Sequence, residues 1–308
     1  MTVSRTRLAP SPTGALHLGN ICSFLINWVI AQQQHWEIVM RVEDLDGPRK
    51  KTNSINQMLD DLSWLGIHWN GEVLIQSDEL GPSHEMLTSL IQRDLAYHCS
   101  LSRSQLKHVL SAPHSIAEEC VPSYRPTHIS QHNTNQSTEA TNWRFVTDPS
   151  PQTIQDELFG KREFTSQQDF VLWTKGNLPS YQLAVVADDH RQGITHVVRG
   201  NDLLQSAAWQ EQLYEAMSWP KPTWIHLPMV VGNDGRRLAK RHGDSRISTY
   251  RTHDVSQERI IGLIAMWTNT QQERSPMSIS EFTRTFELIN LDEQPIVFTD
   301  EDEAWLFA

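Results

Sequence analysis

Arg7-Leu8-Ala9-Pro10-Ser11-Pro12-Thr13-Gly14-Ala15-Leu16-His17-Leu18-Gly19-Asn20 passes from a β-rich run through a proline- and glycine-bearing loop into an amphipathic helix. The two prolines stiffen the loop, and Gly14 and Gly19 let backbone approach a ligand closely. A helix beginning near residue 17 offers free N–H groups and the positive end of its dipole to phosphate. His17 adds a ring donor at the same place. The arrangement reads as a nucleotide-phosphate cradle of a different kind from a P-loop, because Gly-x-x-x-x-Gly-Lys-Ser/Thr occurs nowhere in the chain. The same residues also suit a plain strand–helix turn, with proline for stiffness and glycine for a positive φ.

Outward from this stretch, Thr6 to Ala9 reads as the first strand. Residues 17–33 read as a helix carrying Ile21, Phe24, Leu25, Trp28 and Val29 at i, i+3, i+4, i+7, i+8 spacing. Glu37 to Val42 is a second strand. Asn53 to Leu65, with Ile55, Met58, Leu59 and Leu62, and Ser83 to Leu95, with Met86, Leu87, Leu90 and Ile91, are two more helices. This alternation is the rhythm of a doubly wound parallel sheet. After Tyr97 the composition shifts, and the polar stretch 122–142 reads as an exposed, mobile loop. Strand-like runs resume at Phe170–Trp173, Leu183–Ala187, Thr195–Val198 and Ile225–Val231, with a helix at 202–217, and residues 254–267 and 278–287 read as helical. The expected fold is α/β. Residues 1–96 and 179–241 form the two halves of a Rossmann-like catalytic core, 97–178 an inserted α+β subdomain and 242–308 a small C-terminal helical appendage. No internal repeat is visible.

With 308 residues, 35.4 kDa, 38% apolar and 20% charged, the chain is neither a disordered tail nor a miniprotein. Its apolar runs are far shorter than the ~18–20 residues a bilayer span needs, and Met1-Thr2-Val3-Ser4-Arg5 leads into no apolar signal core. Three cysteines, Cys22, Cys99 and Cys120, are too few for a disulfide framework. The expectation is a cytoplasmic protein without membrane contact. The formal charge of −11 argues against a generic nucleic-acid coat, whose affinity comes from neutralising many phosphates. Residues 241–308 hold twelve acids against six arginines and no lysine, so any RNA contact falls to the basic clusters Arg49-Lys50-Lys51 and Arg236-Arg237 with Lys240-Arg241.

The segment from Arg7 to Asn20 resembles the "HIGH" signature region of class I aminoacyl-tRNA synthetases, in the Ala-Pro-Ser-Pro-Thr-Gly form of glutamyl-tRNA synthetases. Arg237-Leu238-Ala239-Lys240-Arg241 resembles the KMSKS-type second signature of that class, with Ala239 in place of a serine. Arg41-Val42-Glu43-Asp44-Leu45-Asp46 is similar to the family's Arg-Ile-Glu-Asp-x-Asp. Tyr181-Gln182-Leu183-Ala184-Val185-Val186-Ala187-Asp188-Asp189-His190 is similar to its Tyr-x-Leu-Ala-x-Val-x-Asp-Asp, and Val198-Arg199-Gly200-Asn201-Asp202 to its Arg-Gly segment. The resemblance implies that Pro10, His17, Gly19, Asn20, Leu238 and Lys240 bind ATP, with His17, Asn20 and Lys240 catalytic. It likewise implies that Arg7, Ala9, Ser11, Glu43, Tyr181 and Arg199 bind glutamate, Glu43 taking the ammonium and Arg199 the side-chain carboxylate, for which a planar guanidinium is suited. Taken alone, Glu43 and Asp44 also fit solvated strand-end charges, Tyr181 a core residue and Arg199 a surface ion pair. The implied chemistry needs no protein nucleophile. The glutamate α-carboxylate attacks the α-phosphorus of ATP, a substrate that brings Mg²⁺ on its triphosphate, and the enzyme aligns reactants and stabilises charge.

Asp46-Gly47-Pro48-Arg49 resembles the Glu-Asp-x-Asp-x-Pro-Arg form of the truncated paralogues, the glutamyl-queuosine tRNA(Asp) synthetases. Where a full glutamyl-tRNA synthetase carries an anticodon-binding region after its second signature, residues 242–308 are few and acidic. This resemblance implies a monomer that transfers glutamate to queuosine, with L-glutamate, ATP and the tRNA(Asp) anticodon stem-loop as partners. The alternatives are a glutamyl-tRNA synthetase charging the 3′ end of tRNA(Glu) and a non-catalytic synthetase-like binding protein. Pro10-Ser11-Pro12-Thr13-Gly14 departs from the Pro-Glu-Pro-Asn-Gly usual in glutaminyl-tRNA synthetases. Many members of the family carry a zinc site, Cys-x-Cys followed by Tyr-x-x-x-Cys. Here Leu101 and Ile116 stand at two of those positions, which leaves a degenerate site at Cys99 and Cys120 with His98 or His114 as substitutes. Since a structural zinc site ordinarily takes four ligands, the expectation is no zinc and no other bound metal.

Overall fold

The computed structural model describes residues 3–12, 16–45, 52–101, 124–134, 141–166, 168–238 and 245–308. In chain order the first part comprises β1 (Arg5–Leu8), α1 (Leu18–Gln33), β2 (Glu37–Val42), α2 (Thr52–Trp64), β3 (Leu74–Ile75), α3 (Gly81–Gln92) and β4 (Ala96–Cys99). There follow α4 (Ile129–Thr134), β5 (Asn142–Phe145), β6 (Gln152–Asp156), β7 (Gly160–Phe164) and β8 (Val171–Trp173). Next come α5 (Tyr181–Arg191), β9 (His196–Gly200), α6 (Leu204–Met217), β10 (Thr223–Leu227) and β11 (Val230–Val231). The chain closes with α7 (Ile247–Thr252), α8 (Gln257–Trp267), α9 (Ile279–Thr285), β12 (Ile296–Val297) and α10 (Asp300–Phe307).

β1, β2 and β3 pair in parallel, as do β9 and β10. The two groups meet where the Thr195 N–H donates to the Arg5 carbonyl at 2.9 Å and the Arg5 N–H donates to Thr195 Oγ1 at 2.7 Å. The strands therefore follow one another as β3-β2-β1-β9-β10-β6-β7. Strand order reverses between β1 and β9, and in open α/β sheets ligands bind at the carboxyl ends of the strands beside such a point. The hairpin β6–β7 comes from within residues 97–178, yet β6 joins the parallel sheet by pairing Asp156 with Trp224 of β10. β4, β5 and β8 form a separate antiparallel sheet.

Three expectations require correction. Leu183–Ala187 is not a strand but the middle of α5, capped by Ser180 Oγ accepting from the Leu183 N–H. A short apolar run does not by itself distinguish a strand from a helix buried on every side, and α5 is enclosed between α3 and α6. The stretch 122–142 is not loop throughout, since it contains α4. That helix is fastened to β4 by a stacked His98–His132 ring pair with centroids 4.1 Å apart and by Asn133 Nδ2 donating to the Ala96 carbonyl at 2.9 Å. A polar segment with little to bury can be held by hydrogen bonds to a strand edge, which composition does not register. Ile225–Val231 is divided at Leu227 into β10 and β11.

α1 is buried along most of its length because the C-terminal helices cover the side facing away from the sheet. Ile260, Leu263, Phe282, Phe286 and Leu306 share one apolar cluster with Leu25, Ile26 and Val29, and Gln33 Nε2 donates to the carbonyls of Thr283 and Phe286. α8 approaches the 275–276 backbone so closely that a Cβ at Gly262 would lie 1.9 Å from the Ser275 carbonyl oxygen. Backbone cannot swing aside as a flexible side chain would. Gly262→Ala is therefore expected to destabilise the fold by about 1–3 kcal/mol, the usual range for overpacking, measured as a lower denaturant midpoint. An unchanged midpoint would show that this contact is slack.

Candidate active site

The carboxyl ends of β1, β2 and β9 open onto one cavity of about 560 Å³. Its walls are set by backbone ties between segments far apart in sequence. The Glu43 N–H donates to the Pro10 carbonyl at 3.0 Å, which holds the loop after β1 against the end of β2. The Leu18 N–H donates to the Ser245 carbonyl and the Ile247 N–H to that of Leu16, which ties the start of α1 to the chain before α7. Arg7, Ala9, Pro10, Ser11, His17, Gly19, Asn20, Glu43, Tyr181 and Arg199, singled out from sequence, all line this cavity. Leu238 does not; its side chain is in the core, and its N–H donates to the Val230 carbonyl. Lys240, Cys120 and His114 lie outside the described residues, as does Asp46-Gly47-Pro48-Arg49. Leu238 and Ser245, the described residues on either side of Lys240, are both tied to this end of the sheet.

The cavity floor is a buried charge network. Asp189 Oδ1 accepts from Arg41 Nη2 at 2.7 Å and from Arg7 Nε at 3.3 Å, while Arg41 also reaches Glu43 Oε1 at 3.1 Å and Gln192 Oε1 at 2.7 Å. Burial works against the Arg41 charge, but Asp189, Glu43 and Asp188 outweigh it and hold the guanidinium above its ordinary pKa. Burial pushes the Glu43 carboxyl up, against the pull of Arg41 and Arg7. Glu43 is thus an acceptor held at the cavity wall with part of its coordination still open to a cationic ligand group.

On the opposite wall, the Arg199 guanidinium stacks over Trp224 at 4.9 Å. It donates from Nε to His226 Nε2 at 3.1 Å, from Nη2 to the Leu203 carbonyl at 3.2 Å and from Nη1 to the Tyr181 hydroxyl at 3.5 Å. A guanidinium has five N–H groups, so Nη1 and Nη2 each retain one for a ligand. Burial lowers the Arg199 pKa, with Tyr181 opposing, and raises that of Tyr181. An anionic group entering here meets a desolvated cation whose orientation is already fixed.

His17 caps α1, its N–H donating to Asn20 Oδ1 at 3.4 Å, and its Nδ1 is buried without a hydrogen-bond partner. Gly19 packs against this ring, for a Cβ there would lie 3.3 Å from His17 Nδ1. Burial and the nearby Arg237 charge lower the His17 pKa to about 4, so the ring is neutral near pH 7. In the unfolded chain the same ring takes up a proton near its ordinary value of 6.5. The unfolded state therefore binds more protons between those two values, and the contribution of His17 to stability, complete above pH 6.5, is lost as pH falls toward 4. Denaturant unfolding of the wild type beside His17→Asn from pH 7 to 4.5 should show the wild type losing stability faster. The opposite divergence would mean that the folded protein holds His17 charged.

Several residues of this site were not singled out for roles by sequence reasoning. Arg41 and Asp189 were seen only as parts of motifs, and Gln192, His226 and Asp156 not at all. A partial signal existed, because two adjacent aspartates following an apolar helical run, and a lone histidine inside Trp224-Ile225-His226-Leu227, are polar groups that folding must pair once it buries them.

The sequence matches the family model for tRNA synthetases class I (E and Q), catalytic domain, over residues 3–305. It is 38% identical over 275 residues to the glutamyl-Q tRNA(Asp) synthetase of Rhodopirellula baltica, covering 85% of this chain and 84% of that one. A protein of the same name from Symbiobacterium thermophilum is 32% identical over 320 residues, with 97% of each chain covered. The glutamate–tRNA ligase of Afipia carboxidovorans is 34% identical over 300 residues, covering 92% of this chain, which spans 60% of that ligase's length. Among solved structures, a glutamate–tRNA ligase from Elizabethkingia meningosepticum, in complex with its amino acid, has the same fold, with a TM-score of 0.78 at 24% identity over 99% of this chain and 69% of that one.

Proposed function

Since the chain belongs to the class I tRNA synthetases for glutamate and glutamine and is an enzyme of the ligase type, we propose that it activates L-glutamate with ATP and transfers the glutamate to queuosine in the anticodon loop of tRNA(Asp). The observation that carries the amino-acid half is the pairing, across one cavity, of a half-buried carboxylate at Glu43, bonded through Oε1 to Arg41, with a rigidly held guanidinium at Arg199. A free amino acid with an acidic side chain presents the complementary ammonium and carboxylate. The choice of acceptor is supported by the likeness to proteins named glutamyl-Q tRNA(Asp) synthetase and by Asp46-Gly47-Pro48-Arg49.

In this reading Glu43 takes the ammonium, Arg199 and Arg7 the side-chain carboxylate and Tyr181 the face of the amino acid, with Ala9 and Ser11 completing the pocket. That leaves the α-carboxylate toward the nucleotide, which rests on Pro10, Gly19 and the start of α1. The neutral His17 and Asn20 donate to phosphate oxygens, and Lys240 neutralises charge on the triphosphate as pyrophosphate leaves. Most of the rate then comes from alignment and from donors aimed at developing charge. Mg²⁺ supplies further charge neutralisation when it is bound with ATP. Among the described residues no group of three or more His, Cys, Asp or Glu side chains gathers to hold a metal ion. Residues 1–96 and 179–241 serve as the two catalytic halves, 97–178 as the inserted subdomain facing the acceptor and 242–308 as the appendage, in a chain acting as a monomer. Among the described residues no helix is long and apolar enough to cross a membrane.

Transfer of radiolabelled glutamate to tRNA, followed by mapping of the labelled nucleotide, tests the proposal. Label in the anticodon loop of queuosine-containing tRNA(Asp) alone is the expected result. An alkali-labile ester at the 3′ end of tRNA(Glu) would overturn it in favour of a glutamate–tRNA ligase, and no glutamate-dependent ATP–pyrophosphate exchange would point to a non-catalytic binding protein. The same preparation, purified without chelator, should hold less than stoichiometric zinc by elemental analysis. One tightly held zinc per chain would mean that other residues replace the ligands missing at Leu101 and Ile116.

A further inference from the structure

Arg199 is held from behind by a chain of two buried groups that do not line the cavity. His226, fully buried on β10, accepts the Arg199 Nε–H at its Nε2. An Nε2 that accepts carries no proton, so the neutral ring bears its proton on Nδ1, which donates to Asp156 Oδ2 at 2.7 Å. Apart from the His226 ring, Asp156 is held by backbone alone. Its Oδ1 accepts the N–H groups of Leu158 and Phe159 at 3.0 and 2.8 Å, and its Oδ2 accepts the His226 N–H at 2.9 Å. The carboxylate therefore keeps its place and orientation whatever the ring of His226 does. One direction of hydrogen bonding runs through the whole chain, from Arg199 to His226 to Asp156, and reversing any member breaks it.

We infer that Asp156 and His226 are positioning residues for Arg199, fixing the plane of its guanidinium and thereby the preference of the pocket for a carboxylate over a carboxamide side chain. This rests on the glutamate reading above. A carboxylate offers acceptors to both remaining N–H groups, whereas a carboxamide must turn its own NH₂ toward one of them. That distinction is sharp only if the guanidinium cannot rotate to present a single N–H. The Leu203 carbonyl, the Tyr181 hydroxyl and the Trp224 face also restrain the guanidinium, and the His226 bond is the one that holds its Nε side. Burial keeps the imidazole neutral although Asp156 pulls toward the charged form, so the acceptor at Nε2 is preserved at neutral pH.

The test is glutamate-dependent ATP–pyrophosphate exchange by the whole chain, with KM for glutamate and for ATP measured separately and glutamine as competitor. His226→Phe keeps a ring of similar size and removes both nitrogens; it should raise the glutamate KM roughly tenfold or more, leave the ATP KM within about twofold and weaken rejection of glutamine. His226→Gln places an amide oxygen near the Nε2 position and should recover most of the loss, whereas His226→Asn reaches only the Nδ1 position and should not. Should the phenylalanine variant fail to fold, the Gln and Asn pair decides. An unchanged glutamate KM in His226→Phe, equal rises in both KM values, or equal behaviour of Gln and Asn would overturn the inference while leaving glutamate activation intact. Absence of exchange in the wild type would overturn the glutamate reading and this inference together.

Discussion

Arg199→Ala is expected to lower kcat/KM for glutamate by roughly 10²–10⁴ in ATP–pyrophosphate exchange, with the ATP KM nearly unchanged. Truncating one partner of a buried charge pair costs about 3–5 kcal/mol, because the remaining charge is left desolvated and uncompensated. Here the remaining charge is the side-chain carboxylate of the substrate, so the penalty falls on glutamate and not on the nucleotide. Arg7 keeps its own share of the carboxylate through N–H groups not given to Asp189 or, from Nη1 at 3.2 Å, to the Val198 carbonyl, but those two bonds anchor it and it does not restore the contacts of Arg199. Retained discrimination between glutamate and glutamine in the variant would move side-chain recognition away from Arg199.

The largest effect on stability is expected at Asp189. It is 3% exposed and pairs with both Arg7 and Arg41, which are themselves buried, so Asp189→Ala leaves two guanidinium groups short of a counter-charge. Arg41 retains Glu43, Gln192 and the more distant Asp188, whereas Arg7 keeps the Val198 carbonyl and no carboxylate among the described residues. A loss of about 3–5 kcal/mol follows, a large part of the roughly 5–15 kcal/mol that holds a typical domain folded. Denaturant unfolding checks it, and a change under about 1 kcal/mol would mean that water or Glu43 compensates within the cavity. Glu43 should also be drawn further onto Arg41 in this variant, which predicts weaker glutamate binding in whatever fraction remains folded.

The contrast between these two sites reflects how differently each was encoded. Arg199 stands in a local motif at the end of a strand, and the family resemblance of that motif marked it as a candidate ligand residue. Asp189 stands within a similar motif, but its work depends on β1 and β2 arriving beside the end of α5, which no local pattern states. Leu183–Ala187 shows the same limit in secondary structure. Its five apolar residues fit a buried strand as well as a buried helix, and only enclosure by α3 and α6 decides between them.

What the sequence determined by itself was the alternation of β1, α1, β2 and α2 by hydrophobic period and the loop into α1 by its prolines and glycines, while the ten residues that come to line one cavity were marked by the family resemblance of their motifs. These are short-range signals, in which each residue type and its near neighbours already limit the backbone. The tertiary structure alone decided that Asp156, from within the segment read as an insertion, lies behind Arg199. It does so because β6 pairs with β10, which brings Asp156 to a histidine 70 positions away. Strand pairing over such a separation is selected by the packing of the whole sheet, and a backbone ladder forms with almost any side chains, so it leaves no mark on the local sequence from which it could be read.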